Sequence, residues 1–183
     1  MILKLHGTSG SGKTTVARGL MSLASENILG DKHHELRLPQ LTRPLFLLGR
    51  YDKTVCGGMD TVQDPDEQVK LMVDCAYKGH VFYEGLLLSG FYGRIGKASE
   101  VYEGNHLFGF LTTPLATCLE RVEARRAARG TKTAFNPANT TDKFDAILRL
   151  KYRLDNEIGR RTEWISWKDP ITKCLEAYRA AEY

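Results

Sequence analysis

Cysteines and long apolar runs are both scarce in this sequence, and each shortage excludes a class of protein. The four cysteines, Cys56, Cys75, Cys118 and Cys174, lie far apart and form neither a CxxC pair nor a Cys/His ligand spacing. This pattern predicts reduced thiols and gives no indication of a zinc site. Because no stretch of about 18 apolar residues is present, we expect no membrane-spanning helix. The opening residues, MILKLHGTSGSGK, lack the features of a signal peptide, so we expect a cytoplasmic protein.

Net charge is also small. Lys and Arg number 26 against 22 Asp and Glu, which gives +4. An excess of this size permits an anionic partner but does not demand one. We find no internal repeat, low-complexity tract or long linker among the 183 residues, and no sign of an obligate protein partner. Residues 1–183 are therefore expected to form one domain.

Apolar runs alternate with amphipathic segments along the chain. Strands are predicted over residues 1–6, 44–49, 80–83, 107–111 and 164–167, with a possible edge strand over 35–39. Helices are predicted after the glycine-rich turn at 7–12, from Pro65 onward, and over about 115–128, 141–158 and 170–181. This alternation predicts a three-layer α/β fold, with a mostly parallel five-stranded sheet and helices on both faces. Functional residues are expected at the carboxyl ends of the strands.

A complete phosphate-binding motif follows the first predicted strand. It reads Gly7-Thr8-Ser9-Gly10-Ser11-Gly12-Lys13-Thr14, which matches GxxxxGK[ST], and Thr15 continues it into a helix. The glycines allow backbone N–H groups to point at phosphate oxygens, and the helix N-terminus favours the same anion. Lys13 is expected to reach the β- and γ-phosphates, and the Thr14 hydroxyl to bind Mg²⁺. The motif therefore predicts nucleotide binding.

The motif alone does not separate a kinase from other nucleotide-binding proteins. A GTPase would carry an NKxD sequence, which this chain lacks, and a motor ATPase would usually be longer. A basic segment favours a kinase. Arg121, Arg125 and Arg129 recur every four residues on one predicted helix face, and residues 121–161 hold 11 Lys or Arg against 5 Asp or Glu. Such a segment is typical of either a solvated helix face or a lid over phosphates.

Three acidic residues follow predicted strands. Glu84 directly follows the strand at 80–83, where it would orient the water around Mg²⁺ or accept a proton from a substrate hydroxyl. Asp52 and Asp60 follow the strand at 44–49. A general base must approach the transferred proton to within about 3 Å, and the sequence does not decide between these two aspartates. Gly57 and Gly58, just before Asp60, favour Asp60 because they allow close approach to a substrate.

Aromatic and basic residues are interleaved near the same strand ends. Arg50 and Tyr51 follow one strand, and Tyr92 and Arg94 follow another. Such residues are suited to stacking on a base and binding phosphates, which favours a nucleotide or nucleic acid as acceptor. Further cations extend this positive surface: Lys143, Arg149, Lys151, Arg153, Arg160 and Arg161.

The phosphate loop resembles that of the small P-loop kinases, a group that includes adenylate, shikimate and gluconate kinases. The blocks GRYDKTVCGGMD, VFYEGLLLSGFYGR and PLATCLERVEARRAARG resemble small phage-encoded kinases of the 5-hydroxymethyluracil DNA kinase type. The resemblance implies ATP as phosphate donor and a mobile lid over about residues 121–140. It also implies that Arg125 and Arg129 bind phosphates and that Arg121 stacks on adenine, together with the loop at 168–170.

The acceptor that this resemblance implies is the hydroxymethyl group of a modified base in DNA, flipped out of the duplex, as a step in thymidine hypermodification of a phage genome. Such an enzyme would work in the cytoplasm of the host cell. Two alternatives stay open. A kinase of free nucleosides or nucleotides would share every motif but need no extended basic surface. A nucleotide-binding switch or ATPase would transfer phosphate to no acceptor.

Overall fold

A central β-sheet organises the chain. The structure is a computed structural model that describes residues 1–51, 57–85, 105–131 and 133–183. The strands are β1 Ile2–His6, β2 Glu26–Leu29, β3 His33–Arg37, β4 Leu45–Leu48, β5 His80–Glu84, β6 His106–Leu111 and β7 Thr162–Ile165. The helices are α1 Lys13–Leu23, α2 Pro65–Lys78, α3 Leu115–Ala128, α4 Ala138–Asn156 and α5 Pro170–Ala180, with a 3₁₀ helix at Met59–Thr61.

The described strands form one sheet in the order β2-β3-β4-β5-β1-β6-β7. Strands β4, β5, β1, β6 and β7 are parallel to one another, whereas β3 pairs antiparallel with both of its neighbours, β2 and β4. The prediction of a mostly parallel α/β fold is confirmed, but the predicted count of five strands is wrong because the described residues alone contribute seven strands to the sheet. Strand β2 contains only two apolar residues, Ile28 and Leu29, and all four of its residues are exposed. No buried apolar run therefore predicts it. The segment predicted at the edge, β3, lies between β2 and β4.

Helices cover both faces of the sheet, as predicted. Leu3 and Leu5 of β1 pack in a cluster with residues of helices α1 and α5. Ile2, on the other face, packs in a cluster with residues of α2. Phe108 and Phe110 of β6 pack against α4 on that same face. This alternation of buried residues along β1 produces three layers, with the sheet in the middle.

The helix starts follow from local sequence. Helix α2 begins at Pro65, and the Asp64 side chain accepts a hydrogen bond from the Asp66 N–H over 2.9 Å. Helix α3 has the bounds that the sequence predicts, and α4 begins three residues earlier than predicted. Among the residues that the structure describes, no helix is long and apolar enough to cross a membrane.

Buried titratable side chains line the sheet face that carries α2 and α4. Tyr83 Oη and His106 Nε2 lie 3.2 Å apart, within hydrogen-bond distance. Burial lowers the pKa of His106 to about 3. The Lys4 ammonium lies 5.7 Å from the centroid of the Tyr83 ring, and burial lowers the pKa of Lys4 to about 7. These groups make the stability of the fold sensitive to pH.

Candidate active site

The phosphate loop joins β1 to α1 at the carboxyl edge of the sheet. Gly10 and Gly12 have φ values of 81° and 101°, a conformation that favours glycine. A Cβ at Gly10 would lie 2.3 Å from the Cys118 carbonyl oxygen, so the loop packs closely against the start of α3. The Thr113 hydroxyl donates to the Ser11 carbonyl over 2.8 Å. These contacts hold the loop in a curved shape.

A second contact holds the loop from the other side. The Thr8 hydroxyl donates to the Thr140 carbonyl oxygen over 3.0 Å, and both residues are buried. Thr140 belongs to the first turn of α4. The phosphate loop is therefore tied directly to the end of the predicted lid, where α4 begins.

Lys13 lies inside this loop. Its Nζ donates hydrogen bonds to the carbonyl oxygens of Gly7, over 2.7 Å, and Thr8, over 3.2 Å. Burial lowers the pKa of Lys13, and the negative charges of Glu84 and Asp60 partly oppose that effect. The ammonium group thus sits at the centre of the loop with two carboxylates nearby.

Glu84, the last residue of β5, faces the start of α1. Its Oε1 accepts a hydrogen bond from the Thr14 hydroxyl over 2.8 Å. Burial raises the pKa of the Glu84 carboxyl, whereas the Lys13 charge and the Thr14 hydrogen bond act in the opposite direction. Two oxygen ligands of the kind that Mg²⁺ prefers therefore lie side by side at the edge of the phosphate loop.

Asp60 approaches Glu84 from the 3₁₀ helix at Met59–Thr61. Gly58, with a φ of 76°, packs so closely that a Cβ there would lie 2.8 Å from Glu84 Oε1. A Cβ on Gly85 would lie 2.6 Å from Asp60 Oδ1. The two glycines thus let Asp60 lie directly beside the end of β5.

The lid arginines take different positions. Arg121 Nη1 donates to the Gly10 carbonyl over 3.3 Å, and its guanidinium carbon lies 5.4 Å from the centroid of a Trp167 ring. Arg125 faces the phosphate loop from the next turn of α3 and contributes to the lowered pKa of Lys13. Arg129 is exposed just past the end of α3. Of the three arginines spaced four residues apart, Arg121 and Arg125 therefore line the same cavity as the phosphate loop, whereas Arg129 does not.

One cavity of about 660 Å³ unites most of these groups. Its walls are residues 8–16, Gly57, Asp60, Glu84, Leu111, Arg121, Arg125, Trp167, Pro170 and Ile171. Gly7 contributes instead as the carbonyl partner of Lys13. We call this space the nucleotide cavity. It places a cation, two carboxylates and a hydroxyl against a loop built to bind phosphate, a combination suited to phosphoryl transfer.

The predicted acceptor residues lie elsewhere or outside the described residues. Tyr51 is 3% exposed and packs in the core, where burial raises the pKa of its hydroxyl. The Arg50 side chain reaches away from the nucleotide cavity, since its Nη1 donates to the Asp31 carbonyl over 3.3 Å. Asp52, Tyr92 and Arg94 lie outside the described residues. The roles of these five residues stay predictions.

Trp167 is an aromatic residue of the nucleotide cavity that sequence reasoning did not single out. It follows β7 at the carboxyl edge, one residue before the loop at 168–170. Its ring and the Arg121 guanidinium lie next to each other and together form one surface in the cavity wall. The sequence does place this tryptophan at the end of the last predicted strand, at 164–167. That position indicates a ligand-binding residue, because ligands bind at the carboxyl edge of such a sheet.

These features define a class: an α/β protein of the P-loop kinase type, with its phosphate loop after β1 and arginines on the helix after β6. Comparisons with known proteins agree. The chain matches the family model for 5-hmdU DNA kinase over residues 2–158. It is 34% identical over 174 residues to a 5-hmdU DNA kinase of Pseudomonas phage PaMx11, which covers 84% of this chain and 85% of the relative.

A second relative, a 5-hmdU DNA kinase of Pseudomonas phage M6, is 27% identical over 187 residues, covering 95% of this chain and 97% of the relative. The chain belongs to the 5-hmdU DNA kinase family. It is therefore a kinase, and the family and enzyme class predicted from the sequence are confirmed.

Proposed function

We propose that this kinase transfers the γ-phosphoryl group of ATP to the hydroxymethyl group of 5-hydroxymethyluracil in DNA. This reaction would be a step in thymidine hypermodification of a phage genome, in the cytoplasm of the host cell. The observation that carries the proposal is the convergence of Lys13, Glu84, Asp60 and Arg125 on one cavity, in a chain whose relatives are named for this activity. Residues 1–183 would act as one domain, with the segment at 121–140 as a mobile lid.

The phosphate loop would bind the triphosphate. Its residues 7–15 supply backbone N–H groups, and the N-terminus of α1 adds a partial positive charge. Lys13 would exchange its bonds to the Gly7 and Thr8 carbonyls for bonds to the β- and γ-phosphates. Charged phosphate oxygens would then replace the two carbonyl oxygens as acceptors for the ammonium group.

Adenine would lie against the surface made by Arg121 and Trp167. A guanidinium and an indole 5.4 Å apart offer one planar cation and one aromatic face. Both stack on nucleobases without regard to sequence. Arg121 on α3 and Trp167 after β7 both line the nucleotide cavity, as do the phosphate loop and Asp60.

Thr14 and Glu84 fit a magnesium ion. Mg²⁺ binds hard oxygen ligands and usually takes one or two from the protein, with water and substrate phosphates completing its shell. The paired hydroxyl and carboxylate match that demand, and the described residues contain no larger cluster of acidic or histidine ligands. When bound, Mg²⁺ would neutralise charge on the phosphates.

Asp60 is the proposed general base. The acceptor hydroxyl oxygen would bond to the γ-phosphorus as the bond from that phosphorus to the β–γ bridging oxygen breaks, and Asp60 would take the hydroxyl proton. Arg125, with Arg129 after lid closure, would stabilise the charge on the transferring group. Asp52 is the second candidate for the base. Arg50, Tyr51, Tyr92 and Arg94 are proposed for the acceptor side.

The test is transfer of labelled γ-phosphate from ATP with Mg²⁺ to a panel of acceptors. The panel contains DNA with 5-hydroxymethyluracil, the same DNA with thymine, and free nucleosides and nucleotides. We expect label on the modified DNA alone and none with Lys13→Ala. Label only on free nucleosides or nucleotides would replace DNA with a small acceptor, and release of phosphate without any labelled acceptor would make the protein an ATPase.

A further inference from the structure

A second cleft adjoins the phosphate loop, between the end of α3 and the start of α4. Its volume is about 250 Å³, and we call it the lid cleft. The wall residues that matter here are Ser9, Arg125, Arg126, Phe135, Asn139 and Lys143. Ser9 and Arg125 also line the nucleotide cavity, so the two spaces meet at the phosphate loop. Whatever the lid cleft binds is held next to the reacting phosphates.

The lid cleft is cationic. Arg125, Arg126 and Lys143 line it, and none of its described wall residues is acidic. The Arg126 Nη2 donates to the Thr133 carbonyl oxygen over 2.9 Å and to its hydroxyl over 2.8 Å, which fixes the guanidinium on the wall. Within the described part of the chain, no carboxylate forms an ion pair with Lys143. Three cations, one of them held in place and none accompanied by a carboxylate on the described wall, form a site for an anion.

We infer that the lid cleft binds a backbone phosphate of the DNA strand that carries the acceptor base. The inference rests on the proposed function, which supplies DNA as the substrate. A phosphodiester carries one negative charge and accepts hydrogen bonds from the donors present here, namely guanidinium, ammonium and amide groups. Lys143 and Arg126 hold this phosphate, whereas Arg125, on the wall shared with the nucleotide cavity, faces the transferring group.

The geometry explains how such a contact serves the reaction. Phosphate contacts fix the register of a nucleic acid on a protein, without reading its sequence. Thr140, which also lines the lid cleft, accepts the 3.0 Å hydrogen bond from Thr8 of the phosphate loop. A strand held in the cleft is therefore positioned relative to the phosphate loop, and a flipped base next to the bound phosphate is presented to the nucleotide cavity.

The first test measures DNA binding against salt. A fluorescent oligonucleotide duplex with one 5-hydroxymethyluracil is titrated with the full chain at increasing NaCl concentrations. Lys143→Ala is expected to reduce the slope of log K against log salt by about one, because one phosphate contact is lost. Lys143→Arg keeps the charge and restores the slope. Lys70→Ala, an exposed lysine on α2, is the matched control and keeps the wild-type slope.

The second test identifies the phosphate. Each phosphate that flanks the modified nucleotide is replaced in turn by a neutral methylphosphonate. At one position the replacement is expected to weaken binding by the wild type but not to weaken binding by Lys143→Ala any further. The inference is overturned if the losses of affinity from the methylphosphonate and from Lys143→Ala add at every position. It is also overturned if Lys143→Ala keeps the wild-type salt slope. The proposed function fails in a different way, since a wild type that binds this DNA but transfers no label to it refutes the reaction alone.

Discussion

The Thr14 hydroxyl donates a hydrogen bond to Glu84 Oε1 over 2.8 Å, joining two residues 70 positions apart in the sequence. This bond links the first turn of α1 to the last residue of β5, so both proposed magnesium ligands are set by the sheet. Long-range contacts of this kind hold a metal site in place before the metal binds.

Glu84→Gln keeps the size of the side chain and its bond to Thr14 but removes the negative charge. If Glu84 holds Mg²⁺ or its water, we expect transfer to fall by about 10- to 100-fold, with partial recovery at high magnesium. Initial rates measured against MgCl₂ concentration check this. Glu123→Gln, on the exposed side of α3, is the control. An unchanged magnesium dependence in Glu84→Gln would contradict the assignment.

Asp60→Asn removes the proposed general base. We expect the rate of transfer at saturating substrates to fall by about 10²–10⁴-fold, the range typical of general acid–base catalysis. Asp64→Asn, four residues away, is the matched control, because asparagine caps a helix about as well as aspartate. A wild-type rate in Asp60→Asn would move the role of base to Asp52.

Trp167→Ala removes the aromatic half of the surface with Arg121. Stacking on a nucleobase contributes about 1–3 kcal/mol, so we expect the KM for ATP to rise by roughly fivefold to a hundredfold. Steady-state rates at varied ATP measure this rise. Trp164→Ala provides the comparison, since Trp164 is half exposed on β7 and does not line the nucleotide cavity. If the two substitutions raised the KM for ATP equally, adenine would not stack on Trp167.

Gly10→Ala would force the phosphate loop away from α3. A Cβ there meets the Cys118 carbonyl oxygen at 2.3 Å, in addition to the strain of a positive φ. Gly130→Ala isolates that strain, because Gly130 has a φ of 64° and no atom within 4 Å of an added Cβ. The strain alone costs about 1–2 kcal/mol. We expect Gly10→Ala to lower the melting temperature and ATP affinity more than Gly130→Ala, and equal effects would show that the close approach to Cys118 is unimportant.

Acid should destabilise the fold through His106. Burial lowers its pKa from 6.5 to about 3, so between these values the unfolded chain binds a proton that the native state does not. The free energy of unfolding therefore falls as the pH drops through this window, by at most about 1.4 kcal/mol per unit from this residue. Above pH 6.5 His106 is neutral in both the folded and the unfolded chain, so it no longer makes the free energy of unfolding depend on pH.

Urea unfolding across that pH window measures the effect. His106→Gln keeps a polar partner for Tyr83 but does not titrate, so its stability should depend less steeply on pH than that of the wild type. Burial also lowers the pKa values of His6 and His80, and the variant retains both, so the difference between the two proteins belongs to His106. Identical slopes would show that His106 is protonated in the native state.

Local signals in the sequence were sufficient for the parallel strands, the phosphate loop and the start of α2. Each of these depends on neighbouring residues: an apolar run, a glycine pattern, or a proline after a capping aspartate. Strand β2 is different, since its residues are polar or exposed and it forms by pairing with β3. No pattern within β2 itself predicts that pairing.

Side-chain directions at the site were harder to predict than positions. Tyr51 follows a strand end like the acidic residues of the site, yet it turns into the core at 3% exposure. Trp167 and Arg121 meet across 46 positions of sequence because α3 and the loop after β7 reach the same edge of the sheet. Such a meeting depends on the order of the strands, which the sequence alone leaves open.

The hydrogen bond between Thr8 and Thr140 links the affinities of the two proposed substrates. It joins the loop proposed for ATP to the helix that lines the lid cleft. Any factor by which DNA changes the affinity for ATP through this bond must equal the factor by which ATP changes the affinity for DNA. Weakening the bond, as in Thr8→Val, would reduce both factors together and leave each substrate to bind as though alone.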